Sequence, residues 1–132
     1  MRTGLLNYAK SETDGYDLAA NYAFELGEHM LSIRVSGTKV NDNTRYQNPL
    51  DLSEKDPELL EIGAPEYAGN IFLKYQIGSL SLGWQSQFIS EMLLGNGPEV
   101  ETYETLFGPS VLMDDMWIHD FNGSYALSLI HI

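Results

Sequence analysis

The stretch that decides the fold is Tyr67 to Ser90, YAGNIFLKYQIGSLSLGWQSQFIS. It reads as a β-hairpin folded at Gly78-Ser79, a Gly-X pair suited to a two-residue type II′ turn. Counting outward from Ile77/Leu80 puts Tyr75/Leu82, Leu73/Trp84, Ile71/Ser86 and Gly69/Phe88 on one face. The other face carries Gln76/Ser81, Lys74/Gly83, Phe72/Gln85 and Asn70/Gln87. Phe72 and Ser86 apart, one face is apolar and the other polar. Soluble half-buried strands alternate for about five or six residues, whereas a tilted bilayer-crossing strand needs about 9–11. Tyr67 and Tyr75 share the apolar face eight residues apart, about 27 Å along a strand. At a tilt of about 45° that spans about 19 Å, inside the roughly 25 Å apolar band that aromatic girdles flank. A bilayer-crossing hairpin and a strand pair of a soluble β-sandwich or lipocalin-like barrel both satisfy the pattern of this hairpin.

At 132 residues and 43% hydrophobic, the chain has enough material for one domain with a modest core. No apolar run is long enough for a transmembrane helix, which leaves transmembrane strands open. Without cysteine there is no disulfide framework and no thiolate metal site. MRTGLLNYAK lacks the apolar segment of a signal peptide. A net charge of −12 argues against a nucleic-acid partner, which needs a basic face.

Residues 5–26 form another long alternation. Leu6, Tyr8, Tyr16, Leu18, Ala20, Tyr22, Phe24 and Leu26 share one parity, interrupted by Lys10, Glu12 and Asp14. The interruption is expected to stand in water beyond a membrane. A tight turn centred on Glu28-His29 is expected to pair Leu26/Leu31, Phe24/Ile33, Tyr22/Val35 and Ala20/Gly37. Five strands follow, at about 5–26, 30–40, 67–77, 80–90 and 117–126. In the last, Trp117, His119, Phe121 and Tyr125 oppose Asp120, Asn122 and Ser124.

Two long connections, 41–66 and 91–116, separate these strands; loops of that length are usually functional or disordered. The first is broken by Pro49, Pro57 and Pro65, with a short helical turn expected around Ser53–Leu60. The second holds Gly95, Gly97, Pro98, Gly108 and Pro109. Residues 41–66 contain seven acids and two bases, a net of −5, and residues 91–116 six acids and no base, a net of −6. The strands are therefore nearly neutral. Short turns at one end of a sheet and long acidic loops at the other match the asymmetry of bacterial outer-membrane barrels. The expected fold class is all-β: an antiparallel up-and-down meander of about five long strands, an incomplete piece of a transmembrane β-barrel.

The chain resembles the barrel domain of TonB-dependent outer-membrane receptors from about Leu5 to Ala126. Glu12-Thr13-Asp14-Gly15-Tyr16-Asp17 is similar to the family's E-T-x-G-x-D entry to a barrel strand. Gly37-Thr38 ends the next strand in the family's manner. Gly63-Ala64-Pro65 followed by Gly69-Asn70 looks like re-entry after a long outer loop. Trp117-Ile118-His119-Asp120 with Tyr125 is similar to a W-x-H-D…Y strand late in such barrels. The resemblance implies a bacterial outer-membrane location and TonB-powered import of a scarce nutrient: siderophore-iron, cobalamin or an oligosaccharide. Its implied partners are outer-membrane lipid, the TonB system, a nutrient at the outer loops, and a plug domain with further barrel strands of the same chain.

Family members are several times longer, with an N-terminal plug and many more strands. Five strands cannot close, and an open edge is not tolerated in lipid. Residues 1–126 are thus expected to be a piece of a C-terminal barrel. Residues 127–132, LSLIHI, break the alternation and match a translated transposase adapter from sequencing libraries, so they are expected to be non-native. Two other readings of the chain remain: a small soluble β-barrel or sandwich holding an apolar ligand, and a fragment of a passive porin.

The expected lumen- or plug-facing residues are Ser32, Arg34, Ser36, Asn70, Lys74, Gln85 and Gln87. The expected lipid-facing residues are Tyr22, Phe24, Ile33, Val35, Tyr67, Ile71, Leu73, Tyr75, Leu82, Trp84 and Phe88. No catalytic, cofactor or metal residue is expected. His119 and Asp120, near Asp114 and Asp115, point to opposite faces of a strand. Asn41-Asp42-Asn43 lacks the glycine and distal glutamate of a calcium loop. The sequon Asn122-Gly123-Ser124 falls inside a strand.

Overall fold

The structure is a computed structural model that describes residues 10–46, 48, 51–94 and 100–127, without the side chain of Val100. The expectations for residues 5–9, Pro49, Gly95, Gly97, Pro98 and 128–132 lie outside the described residues. Alternating residues with few helix formers give one antiparallel sheet. It contains β1 (Lys10–Leu26), β2 (His29–Tyr46), β4 (Tyr67–Ile77), β5 (Leu80–Ile89) and β8 (Met116–Tyr125), in the order β1-β2-β4-β5-β8. A short β3 (Lys55–Pro57) pairs with the far end of β2. Between β5 and β8 come β6 (Met92–Leu93), α1 (Val100–Phe107), a 3-10 turn at Gly108–Val111, and β7 (Leu112–Met113), which pairs with β6. The long strands therefore follow one another as an open meander, and β1 and β8 are its edges.

The central hairpin pairs as its turn dictates, from Ile77/Leu80 out to Gly69/Phe88. Gly78 takes a φ of 51°, the left-handed conformation that the first central residue of a type II′ turn requires. The first hairpin corrects the expected register by two residues. Its turn is Gly27-Glu28, so Leu26 pairs with His29, Phe24 with Leu31, Tyr22 with Ile33 and Ala20 with Val35. The reason is the same glycine rule. Gly27 holds a φ of 62°, a position that Glu28 would occupy only with strain. A shift of two preserves parity, so both faces keep their members.

Three further corrections concern the connections. The second strand does not stop near residue 40 but continues to Tyr46, because β1 pairs with it out to Lys10/Tyr46. A bulge at Asn41 absorbs the change of register between Asp14/Asp42 and Gly15/Val40. The helical turn expected at 53–60 is instead extended, since Lys55–Pro57 adds to the edge that β2 offers there. Ser53 does not cap a helix; its N–H and hydroxyl both donate to Asp51 Oδ1 at 3.0 and 2.6 Å. Finally, 91–116 holds a helix. Val100–Phe107 has Glu101 in its first turn, and Gly108 follows with a φ of 59°, with Pro109 next. Those residues stop a helix.

The described residues leave both faces of the large sheet uncovered. Among the described residues, glycine aside, the buried side chains are Thr44, Tyr46, Ser86, Ser90, Met92 and Val111. Five of these sit at the loop end rather than under the sheet. Leu18 is 74% exposed and Phe121 79% exposed.

Candidate functional site

Pairing across all five long strands sorts the side chains into rows. On one face the rows read Tyr22–Ile33–Leu73–Trp84–Phe121, Ala20–Val35–Ile71–Ser86–His119 and Phe24–Leu31–Tyr75–Leu82–Gly123. The row Leu18–Gly37–Gly69–Phe88–Trp117 follows, and Tyr16–Lys39–Tyr67 lies beyond it. All the residues assigned to lipid from sequence share this face. Three strands carry aromatic residues eight positions apart on it: Tyr16 and Phe24, Tyr67 and Tyr75, Trp117 and Tyr125. Rings also gather over β5 and β8. Phe88 and Trp117 are 4.8 Å apart, Trp117 and His119 6.2 Å, and His119 and Trp84 5.9 Å. In that neighbourhood Ser86 is 1% exposed, and its hydroxyl has no hydrogen-bond partner among the described residues.

The opposite face has three polar rows: Ala19–Ser36–Asn70–Gln87–Ile118, Asn21–Arg34–Phe72–Gln85–Asp120 and Ala23–Ser32–Lys74–Gly83–Asn122. The residues assigned to a lumen or plug, Ser32, Arg34, Ser36, Asn70, Lys74, Gln85 and Gln87, are brought together in these rows. Cross-strand hydrogen bonds also form on this face. Arg34 Nε donates to Asn21 Oδ1 at 3.0 Å, and Thr38 Oγ1 donates to Asp17 Oδ1 at 2.6 Å. Gly83 leaves room for Asn122, whose amide would lie within 3.0 Å of a Cβ there. His119 and Asp120 fall on opposite faces, opposite Ser86 and Gln85 respectively.

One row past Tyr16–Lys39–Tyr67 the apolar face ends in charge: Asp14/Asp42, then Glu12/Thr44, then Lys10/Tyr46. A clasp forms here that the sequence reading treats only as an interruption. Lys10 pairs with Glu12 and lies 5.4 Å from the centre of the Tyr46 ring. The Tyr46 hydroxyl donates to Glu12 Oε2 at 2.7 Å. These two donors, Lys10 first and Tyr46 second, hold the Glu12 carboxyl below its ordinary pKa. The same carboxylate raises the phenol of Tyr46 and the ammonium of Lys10. Periodicity alone gives no sign of the clasp, because the Asn41 bulge sets which residue of β2 faces Glu12.

The two long connections meet above this end. Leu93 N–H donates to the Leu60 carbonyl at 2.6 Å, and Glu61 and Leu93 form a parallel bridge. Gly63 N–H reaches Met92 Sδ at 3.3 Å, and Leu94 N–H reaches the Val111 carbonyl at 2.9 Å. Arg45 pairs with Glu58, and Lys39 with Glu66 at 3.9 Å. Tyr67 and Ser90 close the top of the central hairpin, with Ser90 N–H on the Tyr67 carbonyl at 2.9 Å and Tyr67 N–H on Ser90 Oγ at 3.0 Å. The acidic segments are thus one connected unit at the end opposite the two short turns. No helix among the described residues is long and apolar enough to cross a membrane. No family model, curated protein or solved structure matches the chain.

Proposed function

We propose that the chain is part of the wall of a bacterial outer-membrane β-barrel, and that the barrel is a TonB-dependent receptor importing a scarce nutrient. The observation that carries the barrel reading is the uncovered two-faced sheet. Among the described residues its apolar face has no core to enter, its aromatic residues recur eight apart on three strands, and its other face is mainly polar over the same span, Phe72 and Ile118 being the large apolar members of its three polar rows. Lipid accounts for the first face and a hydrated lumen or plug for the second. A soluble sandwich or ligand-holding barrel would place the apolar side chains inside, yet Leu18 and Phe121 stand three-quarters exposed. The receptor assignment rests on the motif resemblance, and the nutrient would meet the joined acidic segments on the outer surface. Barrel edges must close in lipid, so β1 and β8 would pair with further strands of the same protein.

The test is expression of the complete protein in a Gram-negative host, followed by protease treatment of intact cells. Cleavage confined to 47–66 and 91–115 supports the barrel with its acidic end outside. Cleavage within the long strands, or recovery of the protein in a soluble fraction, contradicts it. Nutrient uptake that persists unchanged in a host lacking TonB removes the receptor assignment and leaves a passive channel.

A further inference from the structure

The polar face holds two cations that form no ion pair among the described residues. The chain has 19 acids against seven lysines and arginines, so a cation without a carboxylate is unusual. Lys10, Lys39 and Arg45 are each paired with a glutamate. Lys55 stands on β3 opposite Tyr46, away from the polar rows. Among the described residues, Arg34 and Lys74 have no such partner; Arg34 is held only by the neutral Asn21 amide. They flank one side chain. Phe72, the one aromatic residue in the three polar rows, is the register partner of Arg34 and lies two residues before Lys74 on β4.

Two shallow grooves meet along Arg34 and Phe72. One, of about 320 Å³, is lined by Arg34, Ser36, Asn70, Phe72 and Gln85. The other, of about 430 Å³, extends to Ser32 and Lys74. The acids of this face stand away from both cations in the register: Asp17 is bound to Thr38, Glu25 is opposite Met30, and Asp120 is opposite Gln85.

We infer that Arg34, Phe72 and Lys74 form a binding site for a small amphipathic carboxylate. A guanidinium presents a planar fork that matches a carboxylate, and an ammonium adds a point charge beside it. The Phe72 ring supplies the apolar surface on which the ligand body lies, and the Asn70 and Gln85 amides fix its orientation. Among the described residues, Arg34 and Lys74 are the only lysine or arginine side chains in the three polar rows. The site deepens the proposed function, since it lies on the face which that reading turns to water, and it names an anionic solute as what the face handles.

The test uses the complete protein in detergent and 2-naphthoate as the probe, followed by titration calorimetry. The expected result is saturable binding that falls at least tenfold in the double variant Arg34→Gln/Lys74→Gln, and also with Phe72→Ala. The neutral 2-naphthylmethanol should bind at least tenfold more weakly than the carboxylate. Equal binding by the double variant, equal binding of the alcohol, or no binding at millimolar probe overturns the inference. Circular dichroism identifies any variant that has lost its sheet, and Arg34→Lys then serves as the folded comparison: it keeps the charge and loses the planar fork, so it should bind more weakly than the native protein, and binding equal to the native protein overturns the fork. Failure of the barrel reading is separate, because it shows in the lipid accessibility of positions 73 and 74 and not in naphthoate binding.

Discussion

Gly15 lies against the carbonyl oxygen of Lys39 so closely that a Cβ built on it would fall within 3.0 Å of that oxygen. This approach occurs at the bulge, where Gly15 pairs with Val40 and Asn41 is left over. Backbone cannot yield there as a flexible side chain would. Gly15→Ala should therefore destabilise the complete protein by about 1–3 kcal/mol in urea unfolding. Hydrogen exchange should also quicken at 10–14 before it quickens at 18–26. An unchanged midpoint would mean that β1 and β2 separate at the bulge without cost.

Acid should open the clasp at the same end. Glu12 has a folded pKa below its ordinary 4.5 because Lys10 and Tyr46 donate to its carboxylate. A depressed carboxyl contributes stability that is present above the unfolded value and is lost as pH falls through the folded one. Amide protection factors at 10–14 and 43–46 should thus be full at pH 7 and decline once pH drops below the ordinary glutamate range, about 4. Glu12→Gln should start lower at pH 7 and change less on acidification. A variant whose acid loss matches the native protein would show that another group governs this end.

Consecutive residues of β4 should respond oppositely to one substitution. Ile71 lies midway between Tyr67 and Tyr75 on the apolar face, and Asn70 lies on the polar face beside Ser36 and Gln87. Arginine at Ile71 should cost about 2–4 kcal/mol in folding into lipid vesicles, the penalty for a charge near the midplane. Asn70→Arg should stay within about 0.5 kcal/mol, as surface changes usually do. Equal costs would remove the distinction between the faces.

Much of the sheet is legible in the sequence because period-two alternation and a glycine-led turn are local signals. Gly78-Ser79 fixes the whole central hairpin, and the same rule applied to Gly27-Glu28 would have placed the first turn correctly. A centre at Glu28-His29 is one residue too far along, which slips the pairing by two and leaves the faces intact, so face membership survives the error in register. Tertiary features are less legible. β2 runs on to Tyr46 because β1 offers it a partner, and Lys55–Pro57 is extended because β2 offers an edge. Neither fact lies in the local pattern of 41–57. The Arg34–Phe72–Lys74 patch is half legible: parity puts the three on one face, and only the pairing register makes Arg34 and Phe72 neighbours.

The most direct test of the membrane reading is spin-label accessibility in the complete protein, reconstituted in lipid and carrying single cysteines at 73, 74, 82 and 85. Leu73 and Leu82 lie on the apolar face, and Lys74 and Gln85 on the polar one. The barrel reading predicts strong relaxation by oxygen, which concentrates in lipid, for labels at 73 and 82, and none comparable at 74 and 85. Oxygen-rich signals at 74 and 85 with water-like signals at 73 and 82, or four labels that behave alike, would contradict it.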